Sequence, residues 1–200
     1  MIISIQGFTA VGKTTSLNIV REKKPNWEVV DEQITKINQK LGFMGLVPEN
    51  LELFIERQRT FFNEEVRFLK KLEYTKTRLF DNSIESIEFF TFNFSPFKRN
   101  THEIKKRLSR EINELRRYSS DYIIYLYDTF ENLKEKKMKD TSKKERHILS
   151  HAFKQVYEEH YRWFIRRGAI TLNVVNISPE EVADGIIKII ETKVITTGNV

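Results

Sequence analysis

The sequence has no cysteine among its 200 residues, which excludes a disulfide framework, a thiolate metal site and a cysteine nucleophile. It also lacks any run close to the roughly 20 consecutive apolar residues that a membrane-spanning helix requires. The first residues, MIISIQG, carry neither a basic leader nor a small-residue cleavage site. We therefore expect a soluble, cytoplasmic protein that has no membrane partner.

Basic side chains outnumber acidic ones, so the formal net charge is +6. Much of the excess lies in two segments, residues 98–117 and 134–146. Such a balance suits a polyanionic partner, either nucleic acid or the phosphates of a nucleotide. The same pattern also fits helix faces that are simply solvated.

Short apolar runs alternate with helical patterns along the chain. The candidate strands are residues 2–5, 27–30, 78–80, 122–126 and 170–175. The candidate helices are residues 13–23, 51–74 and 101–118, a polar helix with a lysine-rich loop after the fourth strand, and residues 145–167 and 179–192. This alternation predicts an α/β fold with a five-stranded parallel sheet covered by helices on both faces. We expect one domain over residues 1–200.

One helix start is explicit in the sequence. Ser178-Pro179-Glu180-Glu181 supplies an N-cap serine, a proline at the first helical position and a capping-box glutamate. We therefore expect the last helix to begin here.

The segment Gly7-x4-Gly12-Lys13-Thr14 matches the phosphate-binding loop, and it lies between a predicted strand and a predicted helix. In such a loop successive backbone N–H groups and the helix start point at phosphate oxygens. Lys13 would bridge the terminal phosphates, and Thr14 would offer its hydroxyl to Mg²⁺. The predicted nucleotide-binding residues are Gly7, Thr9, Ala10, Val11, Gly12, Lys13, Thr14 and Thr15. The segment therefore predicts a nucleoside triphosphate site.

Two large classes of phosphate-loop protein fit poorly. The base-reading Asn-Lys-x-Asp motif of GTPases is absent, and Asp128 after the fourth strand is the one weak candidate for the acidic strand end of motor-type ATPases. The lysine-rich region that follows favours a small kinase with a closing lid at about residues 134–146.

The chain resembles the deoxynucleoside kinase family and its thymidylate-kinase-like relatives over most of its length. The likeness rests on the phosphate loop, the strand end Val29-Val30-Asp31-Glu32, the segment Asp81-Asn82-Ser83 and the segment 125–133. The resemblance implies the three-layer fold of phosphate-loop kinases. It also implies that Glu32 is the base toward the acceptor hydroxyl, that Asp81 serves Mg²⁺ or orients the acceptor, and that Gln58 reads the acceptor base.

The chain departs from the family pattern in two places. Asn82 stands where those kinases have an arginine, and the lid offers mainly lysines, of which Lys136 is the best placed to offset phosphate charge. Lysine provides charge without the bidentate fork of arginine. Read without the family, Asp31-Glu32 is also a solvated acidic pair, and Asp81-Asn82-Ser83 is also an ordinary turn sequence.

We therefore expect a kinase that transfers the γ-phosphoryl group of ATP, with Mg²⁺, to a nucleoside that Glu32, Gln58 and Asp81 contact. A nucleoside monophosphate is the second choice of acceptor, because Arg57, Arg59 and Arg67 could hold its phosphate. A nucleotide-dependent nucleic-acid-binding protein is the alternative outside enzymes. A homodimer formed through a helical face would fit the resemblance.

Overall fold

The computed structural model describes residues 1–42, 48–72, 76–139 and 151–194. The strands in these residues are β1 Ile2–Gly7, β2 Glu28–Val30, β3 Arg78–Asp81, β4 Tyr122–Tyr127 and β5 Ile170–Asn173. The α-helices are α1 Lys13–Lys23, α2 Ile34–Lys40, α3 Leu51–Leu69, α4 Ile84–Asn93, α5 Thr101–Arg107, α6 Ser109–Arg116, α7 Phe130–Lys139, α8 His151–Ile165 and α9 Pro179–Ile189. A 3₁₀ turn, Lys98–Asn100, precedes α5, and a π-helical turn, Ile190–Val194, follows α9.

The five strands form one sheet in the order β2-β3-β1-β4-β5, and every neighbouring pair is parallel. The predicted five-stranded parallel sheet is therefore confirmed. β1 lies at its centre, with Ile5 beside Asp81 of β3 and Gly7 beside Leu126 of β4. Because the strands all run in one direction, their carboxyl ends share one edge, where open α/β sheets bind ligands.

The chain divides into two compact units. The first, which we call the sheet unit, contains Met1–Val30, Lys76–Asp81 and the chain from Asp121 onward. The second, which we call the helical unit, contains Asp31–Thr75 and Asn82–Ser120. All five strands belong to the sheet unit.

Alternating residues of β4 show how the sheet is covered. Ile124 and Leu126 belong to one buried cluster with residues of α1 and α9, whereas Ile123 and Tyr125 pack with Phe164 of α8 in another. Successive strand residues point to opposite faces. Helices therefore cover both faces, as the sequence predicts.

In the helical unit, α3 begins with an Asn50 side chain that accepts a 2.9 Å hydrogen bond from the Leu53 N–H. Its buried residues recur at helical spacing: Phe54, Ile55, Phe61, Phe62, Glu65, Val66 and Leu69. The helix ends at Leu69 rather than continuing to residue 74. The N–H groups of Lys71 and Leu72 bond three residues back, in the tightened pattern of a helix end.

The single helix expected over residues 101–118 is wrong, because the structure has two helices that meet at Leu108. The Arg59 guanidinium donates a 3.2 Å hydrogen bond to the carbonyl of Arg107, and Leu108 has a ψ of 13°. The donor, Arg59, belongs to α3, and residues 101–118 contain no glycine or proline that would predict a helix break at Leu108. Sequence spacing therefore gives no signal of the break.

Two helices, α2 and α4, are absent from the predicted set. α2 has only seven residues, and eight of the ten residues of α4 are buried, so neither gives a clear amphipathic period. The predicted helix over 145–167 corresponds to α8, which begins at His151; residues 145–150 lie outside the described residues.

Within the described residues, none of the helices has the length and apolar character that crossing a membrane requires.

The predicted start of α9 is confirmed as a complete capping box. The Glu181 N–H donates to Ser178 Oγ at 3.2 Å, and the Ser178 N–H donates to Glu181 Oε2 at 2.7 Å.

Ser178→Ala removes one of these bonds, and we expect the free energy of unfolding to fall by about 1 kcal/mol. Denaturant unfolding measures this. The exposed serine Ser119, replaced by alanine, should change stability by less than about 0.5 kcal/mol, and an equal loss in both variants would contradict the assignment.

Candidate active site

The loop between β1 and α1 has the backbone of an anion cradle. Gly7, Ala10 and Gly12 all have positive φ angles, of 148°, 63° and 97°. Gly12 is the N-cap of α1, no side chain caps the helix, and its first turn contains no acidic residue. The partial positive charge of the helix start is thus not offset by a carboxylate of its own first turn.

Gly7 is required by space as well as by its backbone angle. A Cβ atom there would lie 2.8 Å from the Leu126 carbonyl oxygen and 2.9 Å from a Val11 methyl carbon. Both distances are shorter than real Cβ contacts. Only glycine lets β1 pass this close to β4 as the loop begins.

The Lys13 side chain crosses the loop that precedes it. Its Nζ donates to the carbonyls of Gly7 at 2.7 Å and of Phe8 at 3.3 Å. The ammonium group therefore lies at the mouth of the loop, where it can bind phosphate oxygens as a point charge.

Thr14 and Asp81 meet at the carboxyl edge of the sheet. Thr14 Oγ1 donates a hydrogen bond to Asp81 Oδ2, and Asp81, the last residue of β3, is only 4% exposed. A hydroxyl and a carboxylate are ligands that Mg²⁺ accepts. The described residues contain no cluster of three His, Asp or Glu side chains that could hold a metal ion. The remaining Mg²⁺ ligands would therefore be phosphate oxygens and water.

The other predicted loop residues differ in exposure. Val11 is buried, and its N–H donates to the Phe8 carbonyl at 3.4 Å. Thr9, Ala10 and Gly12 are half-buried, and Thr15 is exposed at the start of α1.

Aromatic contacts tie the loop to α8. The buried Phe8 ring meets Tyr157 and His160 edge-on, with ring centroids 5.6 and 5.7 Å apart. His160 Nδ1 lies 2.9 Å from the Tyr125 hydroxyl, and Tyr157 donates to the Asp128 carbonyl at 2.7 Å. Burial, with the nearby charge of Lys13, lowers the pKa of His160 to about 3. His160 is therefore uncharged near neutral pH, and its ring packs against Phe8 of the loop.

Asp128 organises the start of α7. Its buried carboxylate accepts from the Thr129 N–H at 2.8 Å, the Asn132 amide at 3.0 Å and Lys136 Nζ at 2.6 Å. Its oxygens thus bind the first turns of a helix, which argues against the ATPase role weighed for it above. Lys136, expected to offset phosphate charge, is ion-paired here with Asp128. Residues 140–146 of the predicted lid lie outside the described residues.

A family model for the deoxynucleoside kinases matches residues 3–195. The chain belongs to the deoxynucleoside kinase family. It is a phosphate-loop nucleoside kinase, an enzyme that transfers a phosphoryl group to a nucleoside. The family match favours this function over the nucleotide-dependent nucleic-acid-binding protein considered above.

Solved structures resemble the kinase in fold. One is a deoxyadenosine kinase from M. mycoides with the products dCMP and a flexible dCDP bound, with a TM-score of 0.68, 16% identity, and coverage of 96% of this chain and 100% of that one. Another is a thymidylate kinase from Candida albicans, with a TM-score of 0.65, 15% identity, and coverage of 96% and 91%. A search of curated proteins gave no significant sequence match.

The predicted acceptor-side residues Glu32 and Gln58 belong to the helical unit. Glu32 is half-buried in the segment between β2 and α2, and its charge acts on the buried carboxyl of Glu65. Gln58 of α3 is half-buried, and its Oε1 accepts a 2.9 Å hydrogen bond from the Thr91 hydroxyl. The kinase thus places Glu32, Gln58 and Glu65 in one unit, while Lys13, Thr14 and Asp81 lie in the other.

Asn82 and Ser83 form the turn that leads into α4, with Ser83 as its N-cap residue. Asn82 has a left-handed backbone with φ of 59°, which asparagine tolerates well, and its Oδ1 accepts from Ser86 Oγ at 3.4 Å. Ser83 donates its hydroxyl proton to Glu85. Residues 82–83 therefore form a turn, as the ordinary turn interpretation of Asp81-Asn82-Ser83 predicts.

Sequence reasoning missed three features of the kinase: Phe8 with His160, the bonds of Asp128, and the buried Glu65. Phe8 and His160 are far apart in sequence, whereas the groups that bind the Asp128 carboxylate lie within eight residues of it. Glu65 carried a signal, because it is a charged residue within the apolar stripe of α3.

Replacing Gly7 with alanine tests the cradle. Gly7→Ala must displace Leu126 or Val11, and we expect ATP affinity, measured by calorimetry, to fall more than about 10-fold along with stability. Gly168→Ala is the matched control, since Gly168 also has a positive φ, of 78°, but nothing lies within 4 Å of its Cβ position. That variant should lose about 1 kcal/mol of stability and keep its affinity for ATP. Normal ATP binding by Gly7→Ala would refute the assignment.

The buried His160 makes the kinase sensitive to acid. Because its pKa is lower in the folded than in the unfolded state, its neutral form stabilises the fold above pH 6.5. As the pH falls below 6.5, this stability is lost at about 1.4 kcal/mol per pH unit. His160→Phe should flatten that slope in urea unfolding series, whereas substitution of the exposed His102 by glutamine should not. Equal slopes in all three proteins would show that His160 does not titrate in this way.

Proposed function

We propose that this kinase transfers the γ-phosphoryl group of ATP, with Mg²⁺, to a hydroxyl of a deoxynucleoside. The contact between Thr14 and Asp81, beside a loop crossed by Lys13, carries the proposal. These residues supply an ammonium group, a hydroxyl and a carboxylate at one edge of the sheet. They fit a magnesium-bound triphosphate in charge and in ligand type.

The loop residues would hold the donor. Backbone N–H groups from Gly7 to Thr15 bind phosphate oxygens, and Lys13 moves from the Gly7 carbonyl to the terminal phosphates. Thr14 and Asp81 would hold Mg²⁺ through the hydroxyl and the carboxylate. When bound, Mg²⁺ neutralises negative charge on the phosphate oxygens.

Glu32 is the proposed base. The acceptor oxygen forms a bond to the γ-phosphorus as the bond from that phosphorus to the bridging oxygen of ADP breaks. The hydroxyl proton passes to the Glu32 carboxylate, and ADP leaves with the bridging oxygen. Such a transfer requires alignment and charge neutralisation more than covalent participation by the protein.

Ion pairs on α3 favour a nucleoside over a nucleoside monophosphate. Arg59 donates to Glu111 and to the Arg107 carbonyl, and Arg67 pairs with Glu64. Two of the arginines that could have held an acceptor phosphate are therefore occupied. The carboxylate of Glu32 would also repel a phosphate.

We keep the proposal that Lys136 offsets phosphate charge. When no phosphate is bound, Lys136 pairs with Asp128. Asp128 would retain two other donors if Lys136 moved. We further propose that both units act as a single kinase domain, which the family match over residues 3–195 supports.

A screen of the common deoxynucleosides and their monophosphates with MgATP tests the proposal. We expect acceptor-dependent ADP release with nucleosides and at least about 100-fold less in Lys13→Ala and Glu32→Gln, since each removes an electrostatic or proton-accepting group. The matched exposed controls, Lys188→Ala and Glu22→Gln, should retain wild-type rates. Turnover only with monophosphates would refute the choice of acceptor, and full activity in Glu32→Gln would refute the base.

A further inference from the structure

Residues 98–117 of the helical unit contain two kinds of basic side chain. Arg107 pairs with Glu52 of α3, and Arg116 donates to both oxygens of the buried Glu88 of α4, at 2.6 and 3.2 Å. These two arginines bind α5 and α6 to their neighbours. The other kind is exposed and forms no ion pair with a carboxylate in the part of the chain that the structure describes: Lys98, Arg99, Lys105, Lys106 and Arg110.

The buried side of α5 and α6 determines which side faces outward. Ile104, Leu108, Ile112 and Leu115 are at most 5% exposed, and their helical spacing continues across the junction of the two helices. The Leu108 N–H donates to the Ile104 carbonyl, and the Ile112 N–H donates to the Leu108 carbonyl, both at 2.9 Å. The turn at Leu108 therefore leaves the same face buried in both helices.

Four basic residues lie opposite that buried face, and we call them the basic stripe: Arg99, Lys106, Arg110 and Arg117. At about 100° per residue they fall within about 40° of one another around the helix axis. Arg99 belongs to the 3₁₀ turn that leads into α5, and all four side chains are exposed. At about 1.5 Å per residue, the basic stripe extends over about 27 Å.

The glutamates beside the basic stripe are neutralised by other side chains. Glu103 lies 3.7 Å from Arg107, and Glu114 pairs with Lys70 at 2.9 Å and with Arg117 at 3.2 Å. Arg117 is 73% exposed, so its pair is solvated and weak. The outward side of α5 and α6 therefore keeps an excess of positive charge.

The basic stripe contributes little to folding. Lys106 and Arg110 stand one helical turn apart, and like charges at that spacing destabilise a helix. Among the four residues of the basic stripe, only Arg117 pairs with a carboxylate of the described residues. An anion bound along the basic stripe would relieve this repulsion.

The composition of this face indicates which anion fits. Among residues 98–117, all of which the structure describes, no large apolar side chain is exposed. A helix that inserts into a lipid surface needs an exposed apolar face, and a protein interface has an apolar core with few lysines. Phosphate groups of nucleic acid require only charge and N–H donors, and the exposed Asn113 lies between Arg110 and Arg117 as a further donor.

We propose that the basic stripe binds the phosphate backbone of nucleic acid without sequence preference. Its three arginines can each bind a phosphate through two hydrogen bonds. Its length corresponds to about eight base pairs of a duplex, at about 3.4 Å each. This binding activity goes beyond the proposed kinase function, because it uses none of the residues assigned to phosphoryl transfer.

Fluorescence anisotropy of a labelled DNA duplex of about 20 base pairs, measured without nucleotide over a range of salt concentrations, tests the proposal. Four phosphate contacts predict that the logarithm of the binding constant falls against the logarithm of salt with a slope of about −3.6. In the triple variant Arg99→Gln, Lys106→Gln, Arg110→Gln the slope should become about −1, and affinity at low salt should fall at least about 10-fold. A wild-type slope near zero, or no binding, would overturn the proposal without any variant.

A charge-matched variant separates the basic stripe from the net charge of the protein. Lys36, Lys71 and Lys188 are exposed lysines outside the basic stripe, and replacing all three with glutamine removes the same charge. This variant should keep the wild-type slope and affinity. Since all six positions are exposed, both triple variants should unfold at the urea concentration of the wild type. Equal loss of DNA binding in the two variants would contradict the role of the basic stripe.

Competition identifies the class of partner. Unlabelled duplex should displace the labelled DNA, whereas poly-glutamate and vesicles containing phosphatidylserine should displace it less effectively at the same total charge. If either of these competes better than the duplex, the choice of nucleic acid is wrong. The kinase rate of the triple variant of the basic stripe should equal that of the wild type, which keeps this inference separate from the proposed function.

Discussion

The structure depends on one close approach, that of Gly7 to the carbonyl of Leu126 at the carboxyl end of the central strand. This contact sets where β1 ends and in which direction the loop leaves the sheet. The loop then returns the chain to Lys13, whose ammonium group crosses back over the Gly7 carbonyl. β3 pairs with the other side of β1, and its register brings Asp81 to Thr14. The proposed binding of the phosphate donor depends on that geometry.

The sheet and its loop could be predicted because their signals are local. A short apolar run, two glycines with Lys13 and Thr14, and the capping box at Ser178 each lie within a few residues of sequence. Parallel strands then place their carboxyl ends together without further information. The resemblance added the family, and the match over residues 3–195 confirmed it. The roles of the site residues stay predictions: Lys13, Thr14, Glu32, Gln58, Asp81 and Lys136.

The remaining features depend on pairs that sequence spacing does not reveal. Arg59 donates to the Arg107 carbonyl, about 50 residues away, where a helix is interrupted. Asp128 holds Lys136 through a partly buried ion pair. Likewise, the sequence places Glu65 in the apolar stripe of α3, but only the packing shows that its Oε2 accepts no hydrogen bond from the described residues. Burial and distant partners decide such roles, and both emerge only from the tertiary structure.

The central place of β1 has a consequence during synthesis on the ribosome. Ile3 pairs with Leu79 of β3 on one side and with Tyr122 of β4 on the other, and Tyr122 is made about 120 residues later. At about 5–20 residues per second, this apolar strand waits several seconds or more for its second neighbour. The nascent chain must therefore keep this central apolar strand from foreign contacts, and such exposed segments are what chaperones bind.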